Sequence, residues 1–289
     1  MRTNPILPCK GRWLRAAQTE GCHPSASFNT PPPPAARAVP LPHWGRILGL
    51  ALLTLTTPLA QAQSGPPSRE DRRGPPGQSY ANSSAVLVAE IAFARLAQDE
   101  GQWTAFRETA SDDALMFVPQ ATLAQAWLKG RADPAQAVKW QPHKLFMACD
   151  GRTGASTGSS QFPGGATGYY TTVWQNLEKP RAKKPDWKWV LDHGALLKEP
   201  RAADDMISSR TAVCTGNPKA ALGDIPFGPP RKGEKSATPA TSGARASADG
   251  TMVWRWEVRS DGSRTISIDL WNGSSFDNVV RDDVPAEAA

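Results

Sequence analysis

The sequence predicts an α+β fold, and three observations carry the prediction. Between Ser83 and Ala110 the apolar residues recur at helical spacing. From about Lys139 the period changes to two, in four consecutive segments: KWQPHKLFMACD, RTGASTGSSQF, GYYTTVWQNL and DWKWVLDHGAL. The links between them are DG, PGGA and EKPRAKKPD, the first two of hairpin length. Helices followed by consecutive strands with short links give an antiparallel meander packed on N-terminal helices.

The elements follow in order. In SSAVLVAEIAFARLAQDEG, Ser83 or Ser84 caps a helix by accepting a hydrogen bond from an unpaired backbone N–H. Leu87, Ile91 and Ala94 mark its apolar face, and Gly101 closes it. A second, short helix carries Trp103, Phe106 and Ala110 on one face. SDDA breaks it, and LMFVP reads as a strand stopped by Pro119. TLAQAWLKG gives a short helix ending at Gly130, and Asp133-Pro134 opens a further turn with the aspartate as cap. After the four strands, RAADDMISSRTAVC reads as a closing helix or turn. TMVWRWEVRSDGSRTISIDLWNG reads as a β-hairpin about Asp261-Gly262. A lone hairpin is marginal in water, so this one must pack on the main domain, extend its sheet or pair with another chain.

The front of the chain reads as an address. Arg46 precedes an apolar run from Ile47 to Leu59, followed by Ala60-Gln61-Ala62, the layout of a secretory signal cleaved after Ala62. The run is well short of the ~20 residues of a transmembrane helix, so no membrane span is expected after cleavage. A signal beginning more than forty residues in implies a later translation start, near Val39 or Leu41, with residues 1–38 a spurious extension. The expected organisation is therefore 1–62 extension and signal, 63–83 disordered leader, 84–214 folded domain, 215–248 disordered linker and 249–283 C-terminal hairpin. A bacterial periplasmic or secreted protein fits this layout.

The formal charge of +6 points to an acidic partner only until the front is set aside. Residues 1–62 hold six of the basic groups and a single acid, Glu20, which leaves the remainder nearly neutral and gives no electrostatic case for nucleic acid. Of four cysteines, Cys149 and Cys214 lie beyond the signal, and an oxidising compartment makes them a candidate disulfide. Neither belongs to a C-x-x-C pair, and there is no zinc spacing, phosphate loop or nucleophile elbow.

From about Ser84 to Ala195 the chain resembles the nuclear-transport-factor-2-like superfamily, the fold of SnoaL-like cyclases and ketosteroid isomerases. The resemblance rests on EIAFARLAQDEGQWTAFRETASDDALMFVP and WKWVLDHGAL. Phe93, Ala97, Gly101, Ala105, Phe106, Asp113, Ala114 and Phe117 meet the superfamily's F…A…G…AF…DA…F pattern. It implies a cone-shaped curved antiparallel sheet wrapped on the N-terminal helices, with the C-terminal β-hairpin outside the match. It also implies a pocket that works without metal or cofactor, in isomerases, cyclases, dehydratases and binding-only domains alike. The isomerase pattern of one tyrosine and two aspartates does not align here, so no catalytic role is carried over.

The residues themselves supply the candidates. Asp112 and Asp113 read first as a turn ending the second helix, since aspartate readily bonds nearby backbone. On a regular strand Trp187, Trp189, Leu191 and His193 share one face and Lys188, Val190 and Asp192 the other, so only one of Asp192 and His193 enters the pocket. His193 titrates near neutrality and suits acid–base work, although a buried histidine more often simply finds a partner. Tyr169 and Tyr170 point to opposite faces, and one of them is placed to donate to a developing oxyanion or merely to pack. The catalytic candidates are thus Asp192, His193 and Tyr170. The pocket candidates are Trp103, Trp127, Trp140, Tyr169, Trp174 and Trp189. The expected function is binding of an unknown small molecule or protein without a cofactor. The alternatives are a cofactor-independent acid–base enzyme and a module that assembles as a homodimer.

Overall fold

The computed structural model describes residues 81–178, 184–201, 206–229 and 240–286. The expected signal, the leader up to Tyr80 and part of the basic loop after Glu178 lie outside them. Helix α1 is Ser83–Asp99, α2 Gln102–Thr109 and α3 Ala124–Leu128. The strands are β1 Ala110–Phe117, β2 Ala121–Leu123, β3 Lys139–Met147, β4 Thr153–Gln161, β5 Thr167–Asn176, β6 Trp187–Leu196 and β7 Ser208–Thr211. Four more follow: β8 Ser242–Ala246, β9 Met252–Val258, β10 Arg264–Trp271 and β11 Phe276–Val284.

The strands form a seven-stranded sheet, in the order β2-β1-β6-β5-β4-β3-β7, and a four-stranded sheet, in the order β11-β10-β9-β8. The meander β3-β4-β5-β6 is antiparallel as the period predicts. Two parallel pairs, β1 with β6 and β3 with β7, make the larger sheet mixed. The helices cover one face of it, through Val86, Phe93 and Ala97 of α1 against Leu145, Met147, Trp174 and Trp189. The smaller sheet covers part of the opposite face, where Phe146, Ala155, Val173 and Leu191 meet Trp254, Ile266, Ile268 and Leu270. Burying each of those two isoleucines contributes roughly 1.5–3 kcal/mol, which is why the C-terminal hairpin persists. Among the described residues no helix is long and apolar enough to cross a membrane.

Several expectations change. The N-cap of α1 is Asn82, whose side chain accepts from the Ser84 N–H at 3.0 Å, and not Ser83 or Ser84. The buried face of α1 is Val86, Glu90, Phe93 and Ala97, one residue out of phase with Leu87 and Ile91. Ile91 is 40% exposed. Asp112 and Asp113 lie within β1 and not in a turn, because the chain passes from α2 into the strand at Ala110 without a loop. Asp113 accepts from Ser111 and sits 3.4 Å from Arg245 of β8, so it ties the two sheets. Asp133 opens no helical turn; it accepts from the N–H and hydroxyl of Thr104 and so caps α2 from outside. Its carboxyl occupies the space a Cβ at Gly101 would fill, and Gly101 has φ +110°, so glycine is required there.

The segment expected as a closing helix or turn supplies strand β7, paired in parallel with β3. Its last residues are held by the disulfide between Cys149 and Cys214, whose Cα atoms are 5.5 Å apart. The stretch 215–248, expected as a linker, carries a 3-10 turn at Pro218–Ala221 and strand β8. Strand β8 has no apolar period of its own and is ordered by pairing with β9, where Gly243 leaves room for the Trp256 ring. The predicted hairpin about Asp261-Gly262 is present as β9-β10, and it is the centre of a four-stranded sheet and not a separate hairpin.

Candidate functional site

Strand β6 decides which side chains meet. Val173 of β5 pairs with Leu191, but the next residue, Trp174, pairs with Trp189, so Val190 is an extra residue in β6. The bulge reverses the phase of the strand. Trp189 and Asp192 face the helices, while Val190, Leu191 and His193 face away. A regular alternation would have placed Trp189 with His193; the bulge separates them.

On the helix side a cavity of about 110 Å³ is walled by Phe93, Phe106, Val138, Trp140 and Phe162, with Gln102, Ser160, Tyr169, Tyr170 and Asp192 as polar members. Asp192 accepts a hydrogen bond from Thr172 at 2.7 Å. It keeps part of its surface open to the cavity, yet protein surrounds it. Burial pushes its pKa up to about 7, the Thr172 bond opposes that, and the nearby Glu90 adds to it. The Tyr170 hydroxyl is buried and has no hydrogen-bond partner among the described residues. Burial, with Glu90 and Asp192 close by, raises its pKa well above the usual phenol value, so it stays protonated and able to donate.

Glu90 of α1 lies behind this wall, fully buried. Its Oε1 accepts from Trp140 Nε1 at 2.7 Å, and its Oε2 accepts from Trp174 Nε1 at 2.9 Å and from Ser156 Oγ. Burial raises its pKa, and the three donors lessen the rise without cancelling it. Glu90 fixes the Trp140 indole, which forms the cavity wall beside Tyr170, their rings 6.5 Å apart. The sequence reading passed over this residue. The available signal was an acid at i+4 from Val86 and three before Phe93, in the middle of an apolar face.

The other predicted residues lie elsewhere. His193 sits on the far face with Asp282 of β11, its Nε2 3.6 Å from Asp282 Oδ2, just beyond hydrogen-bonding distance. Arg264 Nε donates to His193 Nδ1 at 3.3 Å, which leaves the ring proton on Nε2. Burial lowers the His193 pKa, so the ring is neutral at pH 7. Thr171 Oγ1 donates to Asp282 at 2.7 Å, and Arg201 is 3.5 Å from its other oxygen. Burial alone raises Asp282, but His193, Thr171 and Arg201 together hold it below the usual carboxylate value. This cluster joins the two sheets.

The Tyr169 ring lies 5.7 Å from His193 on that face, and the residue also lines the helix-side cavity. Trp140 lines the cavity, and Trp174 is buried behind it. Trp189 is buried with its Nε1 donating to Thr109. Trp103 and Trp127 pack on each other at 5.2 Å, and Trp127 is covered by Arg131, so neither lines the cavity. The described residues contain no group of three or more His, Cys, Asp or Glu arranged to hold a metal ion.

No protein-family model matches the chain, and no curated protein matches it. Among solved structures it is similar to a cystatin-like fold protein from Burkholderia xenovorans LB400, with 13% identity over 41% of this chain and 93% of that one, at TM-score 0.33. It is also similar to a computationally designed 17-OHP binder, with 15% identity over 39% of this chain and 93% of that one, at TM-score 0.27. Likeness at this level defines neither the fold nor the ligand of this chain.

Proposed function

We propose that the chain is an exported protein whose helix-side cavity binds a small, mostly apolar molecule through one oxygen atom. Tyr170 donates to that oxygen, and Asp192 is the second polar contact. The Tyr170 hydroxyl carries the reading. It is buried at the cavity wall without a partner among the described residues, and such a group costs about 1–3 kcal/mol, which a ligand oxygen offsets. The cavity, about 110 Å³, suits a ligand of one ring and not the larger molecules that fill pockets of roughly 300–1,000 Å³. Export rests on the Arg46–Ala62 layout, and the Cys149–Cys214 bond supports an oxidising compartment.

The test is a titration with cyclohexanone and with cyclohexane, read by tryptophan fluorescence and confirmed by native mass spectrometry. Cyclohexanone is expected to bind, cyclohexane to bind more weakly, and Tyr170→Phe to weaken the ketone by about tenfold. Absence of ketone binding, together with no co-purifying small molecule, overturns the reading.

Asp192 at about pKa 7 favours a second reading, proton transfer beside a carbonyl. The carboxylate takes the proton, the C–H pair moves into an enolate, and the enolate oxygen accepts from Tyr170. Deuterium uptake by cyclohexanone in D2O measures this step. Uptake above the buffer rate that is lost in Asp192→Asn supports it; uptake at the buffer rate rules it out for this ketone class.

A further inference from the structure

Beside the helix-side cavity lies a second recess, of about 550 Å³, between the end of α1, the segment before β3 and the turn that joins β4 to β5. The two spaces are neighbours across a thin wall. Gly101 lines the recess and Gln102 the cavity; Ala137 lines the recess and Val138 the cavity. Gln161 and Ser160 divide in the same way. Among the described residues Phe162 alone lines both.

Most of that wall is fixed. Gln102 Oε1 accepts from the Val138 N–H at 3.1 Å, and Gln98 Nε2 donates to the Val138 carbonyl at 2.9 Å. Helices α1 and α2 thus hold Val138 by both of its backbone groups. Phe162 is held more loosely. It opens the β4-β5 turn, where its N–H donates to Ala166 at 2.8 Å and its carbonyl accepts from Gly165 at 3.0 Å. Gly164 and Gly165, with φ +92° and +93°, complete that exposed turn. The half-buried ring rests edge-on over Gly168 of β5: a Cβ there would stand 2.9 Å from Phe162 Cε2. A missing side chain on the neighbouring strand is what seats the ring.

We propose that Phe162 sets the size of the ligand. Its ring closes the cavity against the recess and holds the bound molecule to one ring. Shortening the side chain joins the two spaces and admits a two-ring ketone, because the second ring then occupies the place that the phenyl group vacates. This inference rests on the reading of the cavity as a small-molecule site. It assigns to one side chain on a turn the selectivity that Tyr170 and Asp192, which meet only the ligand's oxygen end, do not supply.

The test is a titration of wild type, Phe162→Ala and Phe162→Leu with cyclohexanone and with trans-2-decalone, read by tryptophan fluorescence and native mass spectrometry. The wild type is expected to bind the decalone about tenfold or more weaker than cyclohexanone, since the second ring meets a filled wall. Phe162→Ala is expected to reverse the order, binding the decalone about tenfold tighter than the wild type does, with Phe162→Leu between them. The leucine variant keeps an apolar side chain over Gly168 and carries the test if the alanine variant loses its fold. Equal binding of both ketones by the wild type, as when the second ring leaves past the exposed Gly194, overturns the proposal. Cyclohexanone binding with an unchanged order in both variants also overturns it and leaves the cavity reading standing. Binding of neither ketone by any of the three proteins overturns both.

Discussion

Asp192 and His193 are neighbours on one strand, and the two clusters they join are built on opposite principles. On the far face, Asp282 is surrounded by Thr171, Arg201 and a neutral His193 that Arg264 contacts in turn, and its pKa is lowered. On the helix side, Asp192 and Glu90 have hydrogen-bond donors but no cationic partner among the described residues, and burial raises both. A buried charge with cationic partners holds elements together, and removing one partner strands the rest. Buried acids without a cation, beside an unpartnered hydroxyl and a cavity, cost the fold stability, and the proposed ligand site rests on that arrangement. The lesson is that burial alone does not mark a site; the charge balance around the buried group separates glue from chemistry.

The largest test of this contrast is Asp282→Ala. It leaves Arg201 and Thr171 without their acidic neighbour, and urea unfolding at pH 7 is expected to show a loss of about 3–5 kcal/mol. Asp192→Asn at pH 8 is expected to be neutral or stabilising. Equal losses in the two variants would erase the distinction between the clusters.

The pH dependence comes next, because the two faces act with opposite sign. Asp192 has a folded pKa of about 7, above its unfolded value near 3.9. Its stabilising contribution is therefore complete below about pH 4 and is lost as pH rises to about 7, by on the order of 4 kcal/mol. Glu90 acts in the same direction. Asp282 and His193 have lowered values, so their contribution is present at neutral pH and lost in acid. Urea midpoints measured across this range should show the alkaline-side slope reduced in Asp192→Asn and the acid-side loss unchanged. A wild-type slope that survives in full in Asp192→Asn shows that Asp192 does not carry it.

The smallest effect is the sharpest. Most buried tyrosines lose stability on conversion to phenylalanine because the hydroxyl was bonded. Tyr170 has no such bond among the described residues, so Tyr170→Phe is expected to change stability by no more than about 0.5 kcal/mol, or to raise it. A loss above about 1 kcal/mol in thermal or urea unfolding reveals a partner and removes the argument for a waiting donor.

The sequence made the meander and the β9-β10 hairpin legible because both are local, with strands that follow one another across short turns. Strand β7 was not legible: its partner β3 lies some sixty residues upstream, and SSRT has no apolar period. Strand β8 is a row of small residues that pairing, not composition, makes into a strand. At the site, Asp192 and Tyr170 were visible as polar residues on apolar strands. Their true company was hidden, because the extra residue at Val190 changes which neighbours share a face and leaves no mark in the letters. Glu90 was hidden by habit: an acid on a helix is read as solvent-facing, and the helical phase was set on Leu87 and Ile91 one position away.

The bond between Cys149 and Cys214 encloses β4, β5, β6 and β7 in a covalent loop, and the residues it joins are 65 apart in the chain. A protease that cuts once anywhere inside that loop, for example at the exposed turn around Gly164 and Gly165, severs the polypeptide without releasing a piece. The clipped molecule runs as one band on a denaturing gel until a reductant is added and then divides in two. Damage of this kind is survivable: the ends cannot drift apart, so the broken chain keeps the proximity it needs to stay assembled.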